Sequence, residues 1–157
     1  RAKAKLPSMA LMIHPAAGWK IRSYRRDDGV DLETLFIDCL DAFPWRGGPV
    51  EELIRLRQAI RTTRCIVADE PNAGVVGFLT LERGKAYVPH LFVSLDWRFC
   101  GIGAGLLDVA RDLARAPLSL DVDTQNESAM KAYIAMGWTE KVDAPGGRAG
   151  QVRLTGP

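Results

Sequence analysis

Read from the N-terminus, the apolar positions begin with a brief run, Met9 to Ile13, that His14-Pro15 ends. Ile21 to Tyr24 follows as a short predicted strand. Leu32, Leu35, Phe36, Cys39, Leu40 and Phe43 then recur at spacings of three and four. That is one face of an amphipathic helix, with Asp28 or Asp31 near its start. The stretch PWRGGP, Pro44 to Pro49, breaks it. Val50, Leu53, Ile54 and Ile60 predict a second helix to about Arg61. CIVAD (Cys65 to Asp69) and VVGFLTLE (Val75 to Glu82) read as strands, and EPNAG between them points to a hairpin. A further strand, Ala86 to Leu95, contains Pro89, which has no N–H to donate, so its ladder must be irregular there. Ile102, Leu106, Leu107, Ala110, Leu113 and Ala114 share one face of a helix that Pro117 stops. LSLDV (Leu118 to Val122) is a strand. Thr124 to Gly137 is a helix, with Thr124 or Asn126 as cap and Gly137 just past its end. Trp138 to Val142 and Gln151 to Leu154 are short strands joined by DAPGGRAG. The order β-α-α-β-β-β-α-β-α-β-β describes one mixed α/β domain.

Composition narrows what such a domain does. The 157 residues suffice for a single core, and 47% hydrophobic with 25% charged residues excludes a disordered chain. The net charge is +2, and in the one basic block, Tyr24 to Asp28, two acids cancel two arginines. A general nucleic-acid surface is therefore not expected. Cys39, Cys65 and Cys100 are few, odd in number and widely spaced, which argues against a disulfide framework or zinc site and fits a reducing cytoplasm. No apolar run approaches a membrane span, and Met9 to Ile13 is too short for a signal-peptide core. Residues 1–8 read as a tail and 9–157 as the domain.

Three glycines at alternate positions, Gly101, Gly103 and Gly105, open the helix that follows the Pro89 strand. A helix N-terminus offers unpaired N–H donors, and residues without a Cβ let an anion sit against them. A phosphate is the natural guest, although tight helix–strand packing explains an isolated Gly-x-Gly equally well. A phosphate loop of the Gly-Lys-Ser/Thr kind fails, because Leu106 and Leu107 follow Gly105. A dinucleotide fingerprint fails on the early third glycine and on the long loop from Ser94 to Cys100. A methyltransferase-like reading, with Asp123 ending the next strand, lacks the further strands that fold needs, since only 34 residues (157 minus 123) follow.

The flanking segments supply more. His90-Leu91-Phe92-Val93 ends the Pro89 strand, Arg98-x-x-Gly101-x-Gly103 opens the helix, and Asn126, Ala129, Tyr133, Gly137 and Trp138 follow in the last helix. In this order the segments, over about residues 86–138, resemble the GNAT acetyltransferase superfamily. The resemblance implies a single domain with a mixed, mostly antiparallel central sheet, flanked by helices and splayed at the cofactor strand. It implies acetyl-CoA as cosubstrate, no metal, and acetyl transfer to a primary amine by direct attack in a ternary complex.

Carried over residue by residue, the resemblance places the pyrophosphate on the backbone N–H groups of Cys100, Gly101, Ile102, Gly103 and Ala104, with Arg98 and Phe99 leading into that loop. The pantetheine arm pairs with Leu91, Phe92 and Val93 like an added strand. Asn126 bonds near that arm, besides reading as a plain helix cap. Tyr133 sits at the departing sulfur as general acid, and on pattern alone it also reads as a buried aromatic. The family's glutamate base aligns with Tyr87, which is no carboxylate. Glu82 and His90 remain candidates acting through water, although His90 reads more readily as a half-buried strand histidine; a base can also be dispensable. Phe43 and Trp45 form an apolar wall for the acceptor, with Arg46 at its rim and Tyr87 beside it. The acceptor is a small amine, an amino acid, an antibiotic or a peptide terminus; the chain is expected to be a monomer or homodimer and to bind neither nucleic acid nor membrane. The alternative is a non-catalytic module of this fold that senses an acyl-CoA.

Overall fold

The computed structural model describes residues 10–44, 48–146 and 148–157, and over 142–145 the backbone alone. The chain runs through β1 (Met12–Ile13), β2 (Lys20–Ser23), α1 (Gly29–Leu40), α2 (Pro49–Thr62), β3 (Arg64–Glu70), β4 (Gly74–Glu82) and β5 (Tyr87–Val93). It continues through α3 (Ile102–Ala114), β6 (Ser119–Asp123), α4 (Glu127–Ala135), β7 (Thr139–Pro145) and β8 (Gln151–Thr155). The strands form one sheet in the order β1-β2-β3-β4-β5-β6-β8-β7. All neighbours are antiparallel except β5 and β6. This is the mixed, mostly antiparallel sheet expected from the sequence.

Period-two alternation sends successive strand residues to two cores. Ile66 and Leu79 join Ile102, Leu106 and Ala110 of α3 on one face. Cys65, Val67, Phe78 and Phe92 join Leu32, Phe36 and Cys39 of α1 on the other. The sheet is thus covered on both sides, and its two central strands, β4 and β5, contact both α1 and α3.

Several local expectations change. The apolar run before His14 contributes an edge strand, Met12–Ile13, paired with Lys20–Ile21. Helix α1 stops at Leu40, so Phe43 lies beyond it. In α2 the inward residues are Glu52, Leu56 and Ala59, whereas Val50 and Ile54 are exposed. Asp28 stands at the N-cap of α1 without capping it. Its carboxylate instead accepts both terminal nitrogens of the buried Arg22, at 2.8 and 2.9 Å, and the Arg25 N–H at 2.7 Å. A buried charge must be paired, and that demand outweighs a cap bond.

Candidate active site

The site begins at a break in the sheet. Strand β5 keeps its ladder to β4 as far as Val93, which pairs with Gly77. Toward β6 it pairs only at Tyr87–Ser119 and Val88–Leu120. Beyond Val88 the two parallel strands diverge, and among the described residues no strand pairs with the β6-facing edge of Leu91 to Val93. The cause is local. Between Tyr87–Glu82 and His90–Thr80, two β5 residues, Val88 and Pro89, oppose the single Leu81. This is a bulge, and Pro89 has no N–H to continue a ladder on either side. The bulge also puts Val88 on the same face as Leu91 and Val93, with α3, and leaves His90 and Phe92 toward α1.

A cleft of about 430 Å³ fills the splay. One wall is the exit of β5 and the start of α3: Leu91, Phe92, Val93, then Arg98, Phe99, Gly101, Ile102 and Gly103. The other is β6 and α4, with Leu120, Val122, Asn126, Ala129 and Tyr133. Cys39 and Phe43 close it on the α1 side. Of the residues expected to hold the pyrophosphate, Cys100 and Ala104 are not part of this wall. Cys100 turns its carbonyl away to accept the indole N–H of Trp19 at 2.8 Å, and Ala104 is exposed on the helix flank.

The three glycines have three different reasons. Gly101 has φ +80, a left-handed conformation that a side chain disfavours, and it starts α3. Gly105 is buried against Trp19, where an added Cβ would lie 2.7 Å from the indole. Neither needs a ligand. Gly103 is different: an added Cβ would meet only the Val93 methyl at 3.9 Å, so the protein itself leaves room for a side chain there. The empty space lies on the cleft, over the N-terminus of a 13-residue helix whose first N–H groups and dipole favour an anion.

Tyr133 is half-buried in the cleft wall, its ring edge-on to Trp138 with centroids 5.3 Å apart. Its hydroxyl has no hydrogen-bond partner among the described residues, and burial pushes its pKa well above that of a free phenol. It therefore stays protonated and can donate. The Asn126 side-chain oxygen caps α4 by accepting the Ala129 N–H at 3.2 Å, and the residue also lines the cleft.

The candidates for a base do not reach the cleft. Glu82 sits at the closed end of the splay, opposite Tyr87, and faces Lys85 at 3.7 Å. His90 is buried beneath α1, with Nδ1 3.0 Å from the Thr80 hydroxyl and its ring edge-on to Phe36. Tyr87 is also not on the wall. Its hydroxyl donates to Asp121 at 2.8 Å, and Arg153 grips the same carboxylate with two nitrogens at 3.0 and 2.9 Å. Tyr87 thus braces Asp121 beside the cleft. Phe43 does line the cleft and packs edge-on to Phe92. Trp45 and Arg46 lie outside the described residues.

Two carboxylates were missed. Asp121 and Asp123 line the cleft from β6, and Asp123 accepts the Gln151 side-chain N–H at 3.0 Å. The signal was present in LSLDVD, where alternation puts both acids on the face opposite Leu120 and Val122. Cys39 was seen only as a core residue. Its thiol donates to the Val93 carbonyl at 3.4 Å, and burial pushes its pKa up to about 11, so it is no nucleophile. Among the described residues no group of His, Cys, Asp and Glu is arranged to hold a metal, and no helix is long and apolar enough to cross a membrane.

Known proteins share this architecture. The structure is similar to the apo-form of YjaB from Escherichia coli, at 24% identity over 88% of this chain and 99% of that one, with a TM-score of 0.71. It is similar to a GNAT-family acetyltransferase from Staphylococcus aureus Mu50, at 17% identity over 88% and 98% of the two chains, TM-score 0.76. It is also similar, over 59% of this chain and 62% of the other, to a Bacillus anthracis protein solved in complex with acetyl coenzyme A (17% identity, TM-score 0.50). These likenesses establish the fold, and with one parallel pair in the sheet they remove the methyltransferase-like alternative. No curated protein sequence matches significantly. The sequence profile of the acetyltransferase (GNAT) domain, however, matches residues 50–154, well over half of the chain and including the splayed strands, the glycine-led helix and Tyr133. The chain therefore belongs to the GNAT acetyltransferase family.

Proposed function

We propose that this protein transfers the acetyl group of acetyl-CoA to a primary amine by direct attack in a ternary complex. The observation that carries the reading is a juxtaposition. A protonated phenol with no hydrogen-bond partner among the described residues, Tyr133, opens onto the same cleft as the edge of Leu91 to Val93 from which β6 has parted and the space above Gly103. The first gives a proton, the second pairs with an extended amide-bearing arm, and the third holds a phosphate.

In this reading the amine nitrogen attacks the thioester carbonyl carbon. The carbon–sulfur bond breaks, and the electron pair goes to sulfur. Tyr133 donates its proton there. The backbone N–H of Val93, which the β4 ladder turns toward the cleft while that of Phe92 faces β4, polarises the carbonyl, worth most in a cleft from which water is excluded. The amine must be neutral to attack. With Glu82 and His90 away from the cleft, its proton leaves to water.

The test has two steps. Acetyl-CoA should raise the melting temperature, because a ligand that binds only the folded state stabilises it. A panel of amino acids, polyamines, aminoglycosides and peptides should then yield a member that releases CoA thiol at a rate far above hydrolysis. Binding without turnover of any amine would leave the acyl-CoA-sensing module as the function.

A further inference from the structure

Among the described residues Phe99 is the most exposed of the large hydrophobic side chains. It is completely exposed, at 103% of its reference area, though it is an aromatic residue on the rim of the cleft. Its backbone is left-handed, φ +64, a conformation that sterics disfavour for a residue with a bulky side chain. Two other non-glycine residues share that conformation, Ala86 (φ 49) and Arg115 (φ 55). Each closes a helical turn with its own N–H, onto the carbonyls of Arg83 and Arg111. Among the described residues Phe99 closes no such turn and its ring packs on nothing. Strain and an exposed ring together make this position unfavourable for the protein alone.

The place of the ring says what could use it. Phe99 stands two residues before Gly101, on the solvent side of the α3 N-terminus. The splay between β5 and β6 leads inward from Gly103 toward Tyr133, so a thioester arm occupies that direction. Phe99, fully exposed on the rim of the same cleft and four residues from Gly103, presents its aromatic face where the solvent-side remainder of the nucleotide would emerge. We propose that Phe99 is the platform on which the adenine ring of the bound acetyl-CoA stacks. This rests on the acyl-CoA reading above. A flat π face suits a flat base, and such stacking is sequence-tolerant and strong enough to matter. Arg98, also exposed and on the same rim, puts a cation beside the phosphates without competing for the ring.

Two ligands separate the nucleotide half from the arm: acetyl-CoA, and S-acetyl-4′-phosphopantetheine, which lacks the entire 3′-phosphoadenylate. Affinities are measured by calorimetry for the parent, Phe99→Ala, Phe99→Gly and Phe99→Trp. Loss of the ring should weaken acetyl-CoA by about 5- to 150-fold, the range of one base–aromatic stack, and leave acetyl-phosphopantetheine unchanged. Phe99→Trp should keep or improve acetyl-CoA binding. Phe99→Gly should weaken acetyl-CoA equally while raising the melting temperature, since glycine relieves the positive φ; this separates ligand loss from misfolding. If the folded alanine and glycine variants bind acetyl-CoA like the parent, or lose both ligands by one factor, the stacking assignment is wrong. If the parent binds neither ligand, the acyl-CoA reading itself fails.

Discussion

The indole N–H of Trp19 donates to the carbonyl oxygen of Cys100 across 2.8 Å, joining residues 81 positions apart. Trp19 is almost fully buried just before β2, and its ring fills the notch left by Gly105. An N-terminal residue thus holds the glycine loop from behind, and its bond orients the peptide that precedes Gly101.

Trp19→Phe should keep most of the packing and lose the bond. A neutral hydrogen bond contributes about 0.5–1.5 kcal/mol, which corresponds to roughly a 2- to 12-fold change in an equilibrium. We expect the KM for acetyl-CoA to rise by that order with kcat little changed. The check is steady-state kinetics beside thermal melting. A lowered melting temperature with an unaltered KM would reduce Trp19 to a packing residue.

Alanine at Gly103 and at Gly105 should have opposite consequences. At Gly105 the new methyl collides with a buried indole, and overpacking of this kind typically destabilises by about 1–3 kcal/mol. At Gly103 there is room, so the melting temperature should hold or rise, glycine being a poor helix residue. Acetyl-CoA affinity should fall there instead, by about 10- to 150-fold, as one charge-assisted bond of about 1.5–3 kcal/mol is lengthened. Calorimetry and melting of both variants decide it; full affinity in Gly103→Ala would mean that no ligand approaches that backbone.

Tyr133→Phe should lower kcat by about 10- to 100-fold, roughly 1.4–2.7 kcal/mol of barrier. This is the low end for a general acid, because a thiol with a pKa near 8.5 already leaves tolerably well. The pH dependence follows from burial of the phenol. A raised pKa keeps the acid protonated, so the parent's kcat should show no alkaline fall assignable to Tyr133 below pH ~10. Above that pH the unfolded chain loses the proton and the folded one retains it, so stability should decline with rising pH, less steeply in Tyr133→Phe. An unchanged kcat with acetyl transfer rate-limiting would remove Tyr133 from the mechanism.

The three thiols should separate cleanly. Burial pushes Cys39 up to about 11 and Cys65 up to about 12, which leaves almost no thiolate at neutral pH. Cys100 is only partly buried. Alkylation at pH 7.5, followed by intact-mass and peptide mapping, should therefore modify Cys100 first and once. Cys100→Ser should remain active, since no step uses the thiol. Modification of Cys39 at a similar rate would contradict the closed α1 wall of the cleft.

How much of this was legible in the chain depends on the range of the cause. Local causes were readable. Periodicity placed each helix and nearly every strand, Asn126 announced its cap, and Pro89 announced an irregular ladder. The spaced glycines, followed by Asn126 and Tyr133, were enough to identify the family. Residue chemistry alone could not say that Gly101 is there for its φ and Gly105 for Trp19, because both reasons involve atoms distant in sequence. Only the tertiary structure decided which polar side chains reach the cleft. A bulge of one residue at Pro89 changed which faces of β5 look where and left His90 under α1. Register brought Tyr87 beside Asp121 and kept Glu82 at the closed end. The alternation in LSLDVD had put Asp121 and Asp123 on one face, but the face acquired a meaning only when β5 and β6 parted after two residue pairs. Pattern along a chain determines which residues share a side of an element. What that side confronts is set by pairing and packing between elements, and for this protein that pairing stops at the point where the cleft begins.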